Sequence, residues 1–262
     1  MYYYVFYILK FTKSGIILIT KLSKRGLIME IDLSQLPISQ LFKDYKHRIE
    51  SKSNRKISLL LETNEIVNYP AAFYHSNDNC ILVRVNPGLE KDMSIFEPII
   101  AHEITHGYLK YKCKYGFIKM NPENIQLAAK IQTMIEDIPV QKMIADYGFI
   151  AIPPPIEASI NIQLCMIKSG MPVGLIYDTW SLVHNIVLYW GHIKYIKITE
   201  KQRIILKELL DELQKRCPNE YMIGEEISNM FNEYDVFQAE GYSKIMLKII
   251  TKWNFPFHYI VE

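Results

Sequence analysis

Apolar residues fall into two periods along the chain. Ile81, Val83 and Val85 alternate with Leu82 and Arg84, the pattern of a half-buried strand. A second β-rich run, Ala71 to Tyr74, precedes it, and His75-Ser76-Asn77-Asp78-Asn79 between them has hairpin-turn composition. Asn86-Pro87-Gly88 stops the second run. The period then changes to three-to-four residues: Phe96, Ile99, Ile100, Ile104 and Tyr108 predict a helix over residues 95–112. Ser94 with Glu97 reads as its capping box, and Pro98 sits where a first turn tolerates a missing donor. Gly107 lets this helix pass close to another element.

After the start signal Asn121-Pro122-Glu123, residues 124–147 carry Leu127, Ala128, Ile131, Ile135 and Ile138 at helical spacing, with Pro139 expected to kink the helix. Beyond Pro153-Pro154-Pro155 the chain turns helical, over 160–168, 177–193, 199–216 and 241–253. The third of these is clearest, with Thr199 and Gln202 as a capping box and Ile205, Leu206, Leu209, Leu210 and Leu213 on the buried face. The prolines suggest a boundary, giving a lobe at 29–152 and a helical lobe at 153–262.

Residues 1–28 stand apart. Met1 to Leu9 is almost wholly apolar, Lys10 and Lys13 follow, and Gly15 to Ile19 is apolar again. Neither stretch approaches the roughly 20 residues of a membrane span. The basic residues come after the apolar run rather than before it, unlike a signal peptide. Met29 opens a more ordinary run, so 1–28 reads as an extension from an early start, with a β-hairpin or a surface-adhering arm as the competing readings. Met171 to Trp190 is apolar too, but Asp178, His184 and Asn185 break it, and it reads as a buried helix. The expected location is therefore cytoplasmic.

Composition narrows the function classes. A chain of 262 residues can bury a substantial core, and a net charge of +2 gives no argument for nucleic acid. Four cysteines (80, 113, 165 and 217) lie far apart, which indicates neither a metal knuckle nor a disulfide framework; Cys113 reads as an ordinary free thiol, with a thiolate metal ligand as the lesser reading.

The chemistry concentrates in His102-Glu103-Ile104-Thr105-His106. On a helix, positions i and i+4 lie one turn apart, so both imidazoles can aim at one metal ion. Glu103, about 100° around the axis, stands beside the ion, where a carboxylate can take a proton from metal-bound water. Catalytic zinc needs a third protein ligand and an open position. The extended motif with a third histidine is excluded, because Leu109 and Lys112 occupy its glycine and histidine positions. A second helix is the better source: Glu136 and Asp137 lie in an otherwise apolar stretch, where two acids are costly unless a cation neutralises them.

His102-Glu103-x-x-His106 followed by an acid on a downstream helix resembles the gluzincin group of zinc metallopeptidases, and the strands before it look like the small sheet of that fold. The resemblance covers about residues 57–150. It implies a zincin-like lobe, with a small antiparallel or mixed sheet, an active-site helix and a ligand helix; with the helical periods beyond the prolines, the expected fold class is α+β with a mainly helical C-terminal lobe. The resemblance also implies Zn2+ held by His102, His106 and Glu136, with Glu103 as general base and a peptide or protein as substrate. Asp137 is the alternative third ligand, with Glu123 and Glu157 behind it. The usual spacings would place the glutamate at Gln126 or Ile125, so the longer gap here is that of divergent or minimal members; the acid often found four residues after the ligand is Val140. Gluzincins commonly bind the oxyanion with a His or Tyr, which makes His184, Tyr189 and His192 candidates. An exposed strand edge beside the motif could hold an extended peptide by main-chain hydrogen bonds. The competing reading is a non-catalytic zinc-fold binding or regulatory module, against which an intact Glu103 argues.

Overall fold

A computed structural model of the chain describes residues 19–23, 26–61, 71–74, 79–119 and 123–261. Expectations for residues 1–18, the turn at 75–78 and the start signal at 121–122 lie outside these. The fold is mixed α+β and mostly helical, with eight α-helices and two small sheets among the described residues. None of those helices is long and apolar enough to cross a membrane. The chain divides into two compact units, one ending at Lys112 and the other starting at Cys113.

The first unit holds strands β1 (Ile19–Ser23), β2 (Gly26–Glu30), β3 (Lys56–Leu61), β4 (Ala71–Tyr74) and β5 (Cys80–Val85), with helices α1 (Gln40–Ser53) and α2 (Met93–Tyr111). The five strands form one sheet in the order β1-β2-β3-β5-β4. β3 and β5 run parallel, and β4 is an antiparallel edge strand with Ala71 opposite Val85 and Phe73 opposite Val83. The alternation expected in β5 is observed: Ile81, Val83 and Val85 have no exposed surface. β1 and β2 pair antiparallel, so the part of the expected extension from Ile19 onward joins the sheet as a strand pair.

Helices α1 and α2 pack on each other and on the sheet, α1 over β3 and α2 over β4 and β5. Phe42, Tyr45 and Ile49 form the buried face of α1, and the Phe42 ring meets Phe96 of α2 with centroids 6.3 Å apart. Phe96, Ile100 and Ile104 are wholly buried, and each contributes on the order of 1.5–3 kcal/mol. α2 starts two residues earlier than its apolar spacing suggests. Asp92, not Ser94, is its N-cap and accepts from the Ser94 N–H at 3.0 Å, which leaves Pro98 inside the helix. The expected capping box fails because Glu97 serves another helix: its two oxygens accept from the Ser39 N–H (2.5 Å) and hydroxyl (2.6 Å), and Ser39 is the N-cap of α1. Glu97 is thereby a buried clasp between α1 and α2.

The second unit contains β6 (Phe117–Lys119), α3 (Ile125–Tyr147), α4 (Pro154–Lys168), α5 (Thr179–Tyr195), α6 (Glu200–Arg216), α7 (Pro218–Glu233), α8 (Ala239–Lys252) and β7 (His258–Ile260). β6 and β7 pair antiparallel, joining the start of the unit to its end. Helix α3 runs through Pro139 to Tyr147 and stops at Gly148, which takes a left-handed φ of 119°. It packs on α5, α8 and β6, which is why it belongs with the later helices rather than with the lobe expected at 29–152. At the triple proline, expected as a boundary, the chain enters a helix: Pro153 and Pro154 start α4, where a preset φ favours helix initiation.

Leu164 and Ile167 of α4, Leu182 and Ile186 of α5, and Leu206, Leu209, Leu210 and Leu213 of α6 form one buried cluster with Tyr221 of α7. The Thr199–Gln202 capping box is present in both directions, at 3.2 and 3.1 Å. Helix α7 is absent from the sequence-based expectation, although Pro218 at its first turn and Tyr221, Gly224, Ile227 and Phe231 at helical spacing mark it.

Candidate metal centre

Helix α2 sets the first half of the centre by its period. His102 and His106 stand one turn apart with Nε2 atoms 3.0 Å from each other and ring centroids 4.7 Å apart. His106 is buried and His102 half-buried. Two contacts fix how α2 is rolled about its axis. Thr105, fully buried between the histidines, bonds the Ala101 carbonyl at 2.6 Å and meets the Tyr45 hydroxyl of α1 at 2.5 Å. On another side, Gly107 lies against β5 and β4: a Cβ there would come within 2.5 Å of Ile81 Cγ2 and 3.1 Å of the Phe73 ring. The histidines therefore take their aim from a helix held on two sides.

Glu103 is half-buried, and its Oε2 accepts the main-chain N–H of Phe73 at 2.7 Å. This bond ties the acid of the motif to the edge strand β4. The sequence gives no signal for it, because it needs the sheet order that places β4 outermost.

The acids of α3 have separate surroundings. Glu136 is 5% exposed, and its Oε2 accepts from the Gln132 amide at 3.0 Å, while Gln132 in turn accepts from the Ile118 N–H of β6 at 3.0 Å. Three tyrosines lie within reach of its charge. Burial is the main cause that lifts the phenols of Tyr115, Tyr242 and Tyr259 above their ordinary range, Tyr259 up to about 12, and the Glu136 carboxylate adds to the rise at all three. Asp137, about 100° further round the helix, stands 3.6 Å from His184 Nε2 of α5.

His102, His106 and Asp137 make up a group that could hold a metal ion, each offering one ligand atom within 4.8 Å of the others. Two imidazoles and a carboxylate are a donor set that catalytic zinc takes, with a fourth position left for water. The residue in this group is Asp137, the alternative, where Glu136 is the third ligand that the family resemblance implies. The Glu136 carboxylate accepts from Gln132 instead, and adjacent helical positions cannot face the same way.

The remaining sequence candidates separate as well. His184 stands beside Asp137. Tyr189 donates to Gln163 at 3.2 Å, and His192 Nδ1 lies 2.8 Å from the Leu188 carbonyl of its own helix. Glu157 clasps α4 to α6 through Lys201 and Gln202, and Glu123 is exposed. Compared with models of known families, with characterised proteins and with solved structures, the chain matches none of them.

Proposed function

We propose that the chain is a zinc-dependent metallopeptidase with a zincin-like active-site helix, and that His102, His106 and Asp137 hold the metal. The supporting observation is the convergence of these three donors, with Glu103 on the same turn of α2 bonded to an antiparallel edge strand. Zinc bound by such a set brings the pKa of its water to near 7 and polarises a carbonyl.

The protein's own groups do the rest. Among the described residues β4 is an edge strand of the sheet, and the main chain of an extended peptide would add a strand beside it. Glu103 accepts the proton of the attacking water and returns it to the leaving amine. His184, beside Asp137, orients that carboxylate, as partners of metal ligands commonly do.

The test is metal analysis of the purified protein together with cleavage of a broad peptide library, by the wild type and by Glu103→Gln. Glutamine keeps the shape but cannot accept the proton, so hydrolysis should fall about 10²–10⁴-fold with metal content unchanged. A wild type that cleaves nothing and matches Glu103→Gln removes the peptidase reading and leaves a metal-holding module.

A further inference from the structure

The bond between Phe73 and Glu103 has a consequence for how a peptide reaches the site. Facing pairs along an antiparallel ladder alternate, so the N–H and C=O of one β4 residue turn toward β5 and those of the next turn away. The Phe73 N–H goes to Glu103, which places Phe73, and by the two-residue period Ala71, on the free side of β4. Those are the residues whose main chain would receive an added strand, since among the described residues nothing pairs with β4 on that side. An extended peptide in register offers a backbone carbonyl to the Phe73 N–H. That N–H is already taken by a carboxylate at 2.7 Å.

The geometry points to the Phe73 amide as an exchange point between base and substrate. With the edge empty, Glu103 holds the amide. On binding, the peptide carbonyl takes it, and the Glu103 carboxylate is released to face the water. The base is thus engaged until a strand is seated in the right register, and a peptide that misses Phe73 leaves it engaged. This inference rests on the peptidase reading.

The experiment measures binding without turnover. The probe is a pool of blocked hexapeptides whose central peptide bond is reduced to a methylene-amine, so that nothing is cleaved. Hydrogen bonds to charged groups are the stronger ones, so losing the competing carboxylate should be visible in affinity. Glu103→Ala should bind the pool about tenfold more tightly than the wild type, and Glu103→Gln, which keeps a neutral acceptor, should fall between them.

A double-mutant cycle assigns the effect to the amide. Phe73→Pro removes the N–H at a position outside the ladder, which an edge strand tolerates, and Phe73→Ala removes only the ring. Adding Glu103→Ala should tighten binding in the Phe73→Ala background and not in Phe73→Pro. Should Phe73→Pro fail to fold, the order of the three residue-103 proteins carries the test. Equal affinities across that series, or tightening that persists in Phe73→Pro, overturn the exchange and leave the peptidase reading standing. A pool bound by none of the proteins takes both away.

Discussion

Helices α2 and α3 both bring charged or metal-binding side chains to the candidate centre, and they do so by different means. In α2 the three chemical residues follow from the helical period alone: whatever the helix packs on, His102 and His106 share a face and Glu103 stands beside it. In α3 two acids sit side by side, and the period only guarantees that they face different ways. What separates them is their neighbours. Glu136 accepts from Gln132, with Tyr115, Tyr242 and Tyr259 within reach of its charge, while Asp137 lies by His184 and joins the histidine pair. A local motif is thus set by the chain, and a choice between adjacent acids by the packing around them.

The strongest way to break this comparison is to remove the local half. The double variant His102→Ala and His106→Ala should hold no stoichiometric zinc by metal analysis, because a single carboxylate does not retain the ion. Stoichiometric zinc in that variant would place the metal elsewhere.

The α3 half is tested by changing each acid alone. Asp137→Ala should weaken zinc binding at least 100-fold in a competition titration with a chelator. Glu136→Ala, which removes the acceptor of the Gln132 amide, should cost no more than the 10–100-fold typical of an outer partner. The reverse order would make Glu136 the ligand and restore the assignment that the family resemblance implies.

The smallest effect sharpens the same contrast through pH. The Tyr259 phenol is raised from 10.0 to about 12 by burial, with Glu136 adding to the rise. A raised folded value means that the neutral phenol contributes stability fully present below pH 10 and lost as pH climbs through 12. Glu136→Gln should let Tyr259 ionise at lower pH, seen in phenolate absorbance after subtracting the curve of Tyr259→Phe, whereas Asp137→Asn should leave that difference curve in place. Coincident curves for Glu136→Gln and the wild type would separate Glu136 from the tyrosine cluster.

Much of the fold is legible where the signal is local. The alternation in β5 and the reciprocal cap of α6 are each read from a few residues and are each observed, and of the apolar stripe of α2 Phe96, Ile100 and Ile104 are buried while Ile99 and Tyr108 are half-buried. Legibility fails where one residue could serve two masters. Ser94 and Glu97 have the spacing of a cap, but Glu97 closes the end of α1 instead, 58 residues away in sequence. The triple proline reads as a boundary, but it starts α4, and the division between units comes at Cys113, after a stretch with no turn signal strong enough to announce it. At the centre, the histidines and Glu103 are readable; the Phe73 bond, the Tyr45–Thr105 contact and the choice of Asp137 depend on sheet order and packing that no short window contains.

Gly107 sets a condition on how this sequence can drift. Because a methyl group there would meet Ile81 at once and crowd the Phe73 ring, a side chain at 107 needs a smaller residue at 81 and a shifted ring at 73, or α2 lifts from the strands beneath it and the histidines with it. The two positions should therefore change together across related sequences: bulk at 107 accompanied by Ala or Gly at 81, and Gly at 107 wherever 81 stays branched.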